Sequence, residues 1–202
     1  MCAVYHDVYL LDLFPYKKHS AFRNSFERSG KEHFMSNANT DGAVLVHIRV
    51  YPDGYKSKIN LEDGEPEASV PIGAVFVIDE NHRNPLYKLA GGGIEHGESA
   101  LKAAIEEAVE ETGIYIKAEN ITEVGSWNVE GRSRKHKKHL FVADVEEKDL
   151  GSMGSTHARN EGEKPVFFTN EQFHELVRNC EFMPEHYKKL VQYTIILPIP
   201  AW

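Results

Sequence analysis

The sequence predicts an α/β protein of the α+β kind, a mixed β-sheet covered by helices. Three observations carry that reading. Short segments rich in β-branched residues, such as "GAVLVHIRVY" and "SVPIGAVFVID", are bounded by turn signals. Amphipathic helical segments are interspersed irregularly among them, which is the pattern of a mixed sheet rather than a regular βα repeat. The chain has 202 residues, enough to build a core without disulfide or metal staples.

The elements follow in order. Residues 1–40 are aromatic and mixed, and they read as an N-terminal extension that packs on a domain spanning 41–202. "GAVLVHIRVY" is a strand ended by "PDG", and "SVPIGAVFVID" is a second one closed by "ENHRN". "NLEDGEPEA" between them is an acidic loop. "PLYKLAGGG" is short and extended. Ser99 to Glu111 is a helix, because Leu101, Ala104, Ile105 and Ala108 recur at three- and four-residue spacing, and Gly113 is placed to stop it. "ITEVGSWNV" and "HLFVADV" are strands around a basic loop, "EGRSRKHKKH", and "GSMGSTHARNEGEK" is a long loop. "PVFF" is a strand. "TNEQFHELVRNC" is a helix with a capping box between Thr169 and Gln172, and "MPEHYKKLVQYTI" is another with Pro184 in its first turn.

Composition narrows the function classes. At 41% hydrophobic and 27% charged the chain is a soluble globular type. A net charge of -8 argues against general nucleic-acid binding. No apolar run spans a bilayer, and the N-terminus lacks the basic region of a signal peptide. Cys2 and Cys180 are too few for a disulfide framework and lack metal-ligand spacing, which fits a cytoplasmic protein. The apolar N-terminal segment and the tail "YTIILPIPAW" offer a surface for a homodimer.

Glu106, Glu107, Glu110 and Glu111 crowd the end of the 99–111 helix. At 100° per residue, Glu107, Glu110 and Glu111 share one face. Like charges at this spacing repel by about 0.2–0.5 kcal/mol per pair. The helix C-terminus is itself partly negative and penalises each carboxylate by up to about 1 kcal/mol. A bound cation reverses the sign of every one of these terms, and oxygen donors suit a hard ion such as Mg²⁺. The glycines at 91–93 allow close backbone approach just before the helix.

The stretch Gly92 to Ile114 resembles the signature box of the Nudix hydrolases. Gly92, Glu98, Glu107, Glu110, Glu111, Gly113 and an apolar Ile114 stand at the family's spacing, with Ala108 at its internal apolar position. The one fixed position that departs is Glu106, where the family has arginine, and Ala90 stands where a proline is common. The resemblance implies a mixed sheet sandwiched between helices and cleavage of a diphosphate linkage in a nucleoside diphosphate derivative. It implies that Glu107, Glu110 and Glu111, with the Gly92 carbonyl, hold Mg²⁺ or Mn²⁺. Glu107 or a later-loop carboxylate, Glu161 or Glu163, would act as base, so Glu107, Glu111 and Glu163 are the catalytic candidates.

Glu106 removes a positive charge and adds a negative one; Lys102, four residues from both Glu98 and Glu106, is placed to bridge them. Reduced activity is expected from this exchange. The alternative is a Nudix-fold sensor that binds a nucleotide without cleaving it. In the basic stretch "RSRKHKK", Arg134 and Lys135 are the candidate contacts to substrate phosphates, and Trp127 is either core or a stacking surface for a base.

Overall fold

In the computed structural model, residues 42–54, 70–130, 135–155 and 163–196 are described. The extension 1–40, the acidic loop 60–68, Arg134 and Glu161 lie outside them. Seven strands form one sheet: β1 (Gly42–Tyr51), β2 (Gly73–Asp79), β3 (Tyr87–Lys88), β4 (Gly93–Ile94), β5 (Ile121–Glu130), β6 (Lys135–Glu146) and β7 (Glu163–Thr169). The helices are α1 (Ala100–Thr112), α2 (Asn170–Arg178) and α3 (Pro184–Gln192).

The sheet is mixed, with the path β3-β2-β1-β6-β5; β7 pairs with β2 and β4 with β1. The β1–β6 pairing is parallel, whereas β1–β2, β2–β7 and β5–β6 are antiparallel. Every residue of β1 is largely buried, as expected of a strand covered on both faces. Its alternation divides the core in two. Val44, Val46, Ile48 and Val50 pack with Ala103, Ala104 and Ala108 of α1. Leu45 lies on the opposite side with Phe76, Leu140 and the inner faces of α2 and α3. The sandwich of helices about a mixed sheet is therefore as expected.

One edge of β1 is shared. Ile48–Val50 pair with β2, while Gly42 and Ala43 pair with β4 and Val46 bridges to Ala90. The glycine turn 91–93 is thus pinned against the first half of β1, and α1 starts directly after it.

The expected helices are present. Ser99 caps α1 by accepting from the Lys102 amide at 3.2 Å, and Gly113 closes it at φ 77°. Thr169 and Gln172 form the capping box of α2, and Pro184 opens α3. Two expectations are corrected. Leu101 faces solvent, and Ala103 takes its place against the sheet. The basic loop is shorter than expected, because Lys135–His139 already belong to β6 and pair with Glu130–Ser126 of β5. An all-polar run hides a strand from hydrophobic alternation. Trp127 is half-buried under Tyr193 at 6.1 Å, with the Lys189 Nζ 4.4 Å from its ring, so its face is already covered.

Candidate active site

Two elements bring carboxylates together and a third adds an ammonium. Glu107 and Glu111 come from the last turns of α1, one helical turn apart. Glu163 comes from the first residue of β7, which pairs with Asp79 at the end of β2. Lys88 comes from β3, on the other side of β2, where it pairs with Val77. Its Nζ lies 2.7 Å from Glu163 Oε1 and 3.7 Å from Glu111 Oε1.

Glu111 is buried, with 4% of its surface exposed. Its Oε2 accepts from the Gly91 amide at 2.8 Å, so the glycine turn holds the carboxylate by its backbone. Gly92 shows why this turn needs glycine. A Cβ at that position would lie 2.0 Å from Glu107 Oε1. The Glu107 carboxylate occupies the space a side chain would take. The Gly92 carbonyl accepts from the Val44 amide at 2.9 Å, which leaves it a second lone pair.

The electrostatics follow from this crowding. Burial pushes Glu107 up to about 7, and the charges of Glu110 and Glu163 add to it. Burial likewise raises Glu111 well above the ordinary carboxylate range, opposed by Lys88 and reinforced by Glu163. Burial works against the charged form of Lys88, but Glu111 and Glu163 outweigh it and raise the ammonium's pKa. Burial and mutual repulsion thus favour the protonated forms of Glu107 and Glu111 beside the Lys88 ammonium in a partly closed space. Among the described residues no three His, Cys, Asp or Glu side chains stand ready as a ligand set. The donor chemistry nonetheless fits a hard divalent cation. All the donors are oxygens, and the repulsion that favours their protonation is the repulsion a cation relieves.

Glu106 points away from this cluster and is about half exposed. Lys102 Nζ lies 2.9 Å from Glu106 Oε1 and 2.9 Å from Glu98 Oε1, the double bridge expected from the spacing. Lys102 in turn holds Glu98 below the usual carboxylate range. Lys135 opens β6, whose first residues lie across β1 from β4, while β3 and β7 lie farther off beyond β1, both paired with β2. Lys88 is the residue of this cluster that sequence reasoning missed. A single lysine in "PLYKLAGGG" has no fixed spacing to the box, and its role comes from strand pairing.

A model of the NUDIX domain family matches residues 69–190, more than half of the chain. The chain belongs to the Nudix family. Among curated proteins it is similar to "Putative 8-oxo-dGTP diphosphatase YtkD" of Bacillus subtilis (strain 168), at 29% identity over 105 residues. That match covers 48% of this chain and 65% of the relative, so the chain spans just under two thirds of the relative's length. Among solved structures, a NUDIX hydrolase from Nitrosomonas europaea matches at 15% identity over 80% of this chain and 97% of that one, with a TM-score of 0.50. That likeness concerns the fold. A Bacillus subtilis pyrophosphohydrolase matches at 20% identity over 78% of this chain and 85% of that one, with a TM-score of 0.43. Among the described residues no helix of this Nudix chain is long and apolar enough to cross a membrane.

Proposed function

We propose that this Nudix protein is a metal-dependent pyrophosphohydrolase that cleaves a diphosphate linkage in a nucleoside diphosphate derivative. The observation that supports it most is the convergence of Glu107, Glu111 and Glu163 beside the Gly91–Gly92 turn, with the Lys88 ammonium among them. Glu107, Glu110 and Glu111, with the Gly92 carbonyl, are the proposed holders of Mg²⁺ or Mn²⁺. Such an ion supplies polarisation of phosphoryl oxygens and a more acidic bound water. Glu163 is the proposed base that takes the proton of the attacking water. It comes from a separate strand, so it can face that water while the helix carboxylates are engaged. Glu107 is the other carboxylate able to take this role. Arg134 and Lys135 remain the proposed phosphate contacts, and neutralising them is expected to raise KM for highly phosphorylated substrates.

The relative's name makes an oxidised purine nucleoside triphosphate the first substrate to try. Nucleotide sugars, dinucleoside polyphosphates, ordinary nucleoside triphosphates and inositol pyrophosphates complete the panel. Product release with Mg²⁺, and none in EDTA, is the expected result. Nucleotide binding with no turnover across the panel would replace this reading with a sensor. Glu106 motivates that alternative, but its side chain is tied to Lys102 at the surface and does not enter the carboxylate cluster.

A further inference from the structure

Lys88 plays no part in the sequence box, yet its ammonium joins the box's Glu111 to Glu163 outside it. The side chains involved are largely closed to water: Lys88 is 22% exposed, Glu163 11% and Glu111 4%. Charges in such a space attract strongly, and one left unpaired there is costly. The lysine is not a flexible surface group that happens to reach a carboxylate. Its backbone is fixed by the Val77 pairing in β3, and Glu163 is fixed by the Asp79 pairing in β7. The intervening strand β2 therefore sets the offset between the two.

An ammonium has only donors, so it cannot ligate a metal while charged. Every carboxylate oxygen it holds is one that a cation must win or share.

Resting on the reading of the site as metal-dependent, we propose that Lys88 is a positioning residue. Its ammonium holds Glu163 beside Glu111 and competes with the divalent cation for the Glu111 carboxylate. The site thereby keeps its shape when empty and binds metal more weakly than its number of carboxylates would give.

The test is Mn²⁺ binding to the full chain without substrate, followed by the electron paramagnetic resonance signal of free Mn²⁺. Lys88→Met keeps the length and removes the charge, whereas Lys88→Arg keeps the charge. Lys88→Met is expected to bind Mn²⁺ about tenfold more tightly than the wild type, because the competing charge is gone. Lys88→Arg is expected to stay within about twofold of the wild type, because the competing charge is kept. At saturating Mg²⁺, Lys88→Met is expected to lower kcat with little change in KM, and Lys88→Arg to recover part of the loss. Equal Mn²⁺ affinity in Lys88→Met and the wild type overturns the proposal, as does equal tightening in both variants. A wild type that binds no Mn²⁺ overturns the metal-site reading itself, and the Lys88 proposal with it. If Lys88→Met does not fold, the double variant Lys88→Met/Glu163→Gln is compared with Glu163→Gln alone, where one buried charge fewer needs compensation. The double variant is expected to bind about tenfold more tightly; equal affinities overturn the proposal.

Discussion

His47 and His186 lie in the core as neutral rings, each pulled down to about 3 chiefly by burial. His186 Nδ1 accepts from the Leu89 amide at 3.0 Å, so its ring anchors the segment leading to the glycine turn. His47 stacks on Phe76 with a centroid distance of 6.0 Å, and its Nδ1 has no partner. Between the folded value near 3 and an ordinary value near 6.5, the unfolded chain takes up the proton and the folded chain does not. Stability is therefore unaffected above pH 6.5 and falls as the pH drops below it. His47→Leu removes this penalty. Relative to the wild type, it is expected to gain about 2 kcal/mol between pH 7.5 and pH 5, as read by urea denaturation. A pH-independent difference would show that His47 takes up its proton in the fold as readily as in the unfolded chain. Gly92→Ala tests a different residue-scale claim. Its Cβ would lie 2.0 Å from Glu107 Oε1, so the carboxylate must move. Turnover is expected to fall about tenfold or more, since small misplacement of a reacting group is costly. Unaltered turnover would show that the Glu107 position is not critical. Gly92 was legible from its place in the box. Lys88 was not, because its partners are 23 and 75 positions away in the chain and only the strand pairing unites them.

At the scale of elements, α1 was the most legible. Its small apolar residues, the Ser99 cap and the Gly113 stop all agreed, and the structure differs mainly in facing Leu101 outward. The start of β6 was illegible for the opposite reason. Its run of lysines and histidines has no apolar face to alternate, and its pairing with β5 is carried by the backbone ladder. The unusual Glu106 is accommodated on the outer side of α1 through Lys102, which reaches both Glu98 and Glu106. Exposed pairs of this kind contribute a few tenths of a kcal/mol up to about 1. An arginine at 106 would supply the bidentate fork that lysine lacks. Glu106→Arg is therefore expected to raise turnover about two- to fivefold, in line with that energy. Unchanged or lower turnover would mean that Lys102 already supplies the orientation in full.

At the scale of the molecule, the fold class was readable from segment types, but the strand order was not. Nothing local says that β1 lies between β2 and β6, or that it pairs in parallel with a strand some 90 residues later. The family match begins at residue 69, beyond this central strand. We propose that residues 41–202 form the catalytic domain. A chain beginning at Asp41 is then expected to keep Mg²⁺-dependent turnover, whereas one beginning at Ser69 loses the core of both faces and fails to give a cooperative melt. A cooperative melt of the shorter chain would contradict the central role of β1. The central proposal is that the convergent carboxylates hold a cation and that the site hydrolyses a phosphoanhydride. It is tested most directly by nucleotide turnover in Mg²⁺ for the wild type and Glu111→Gln, a variant that removes the most buried of those carboxylates as a charge. The account predicts turnover by the wild type and a loss of about a hundredfold or more in a folded Glu111→Gln variant; wild-type turnover that survives the substitution would contradict it.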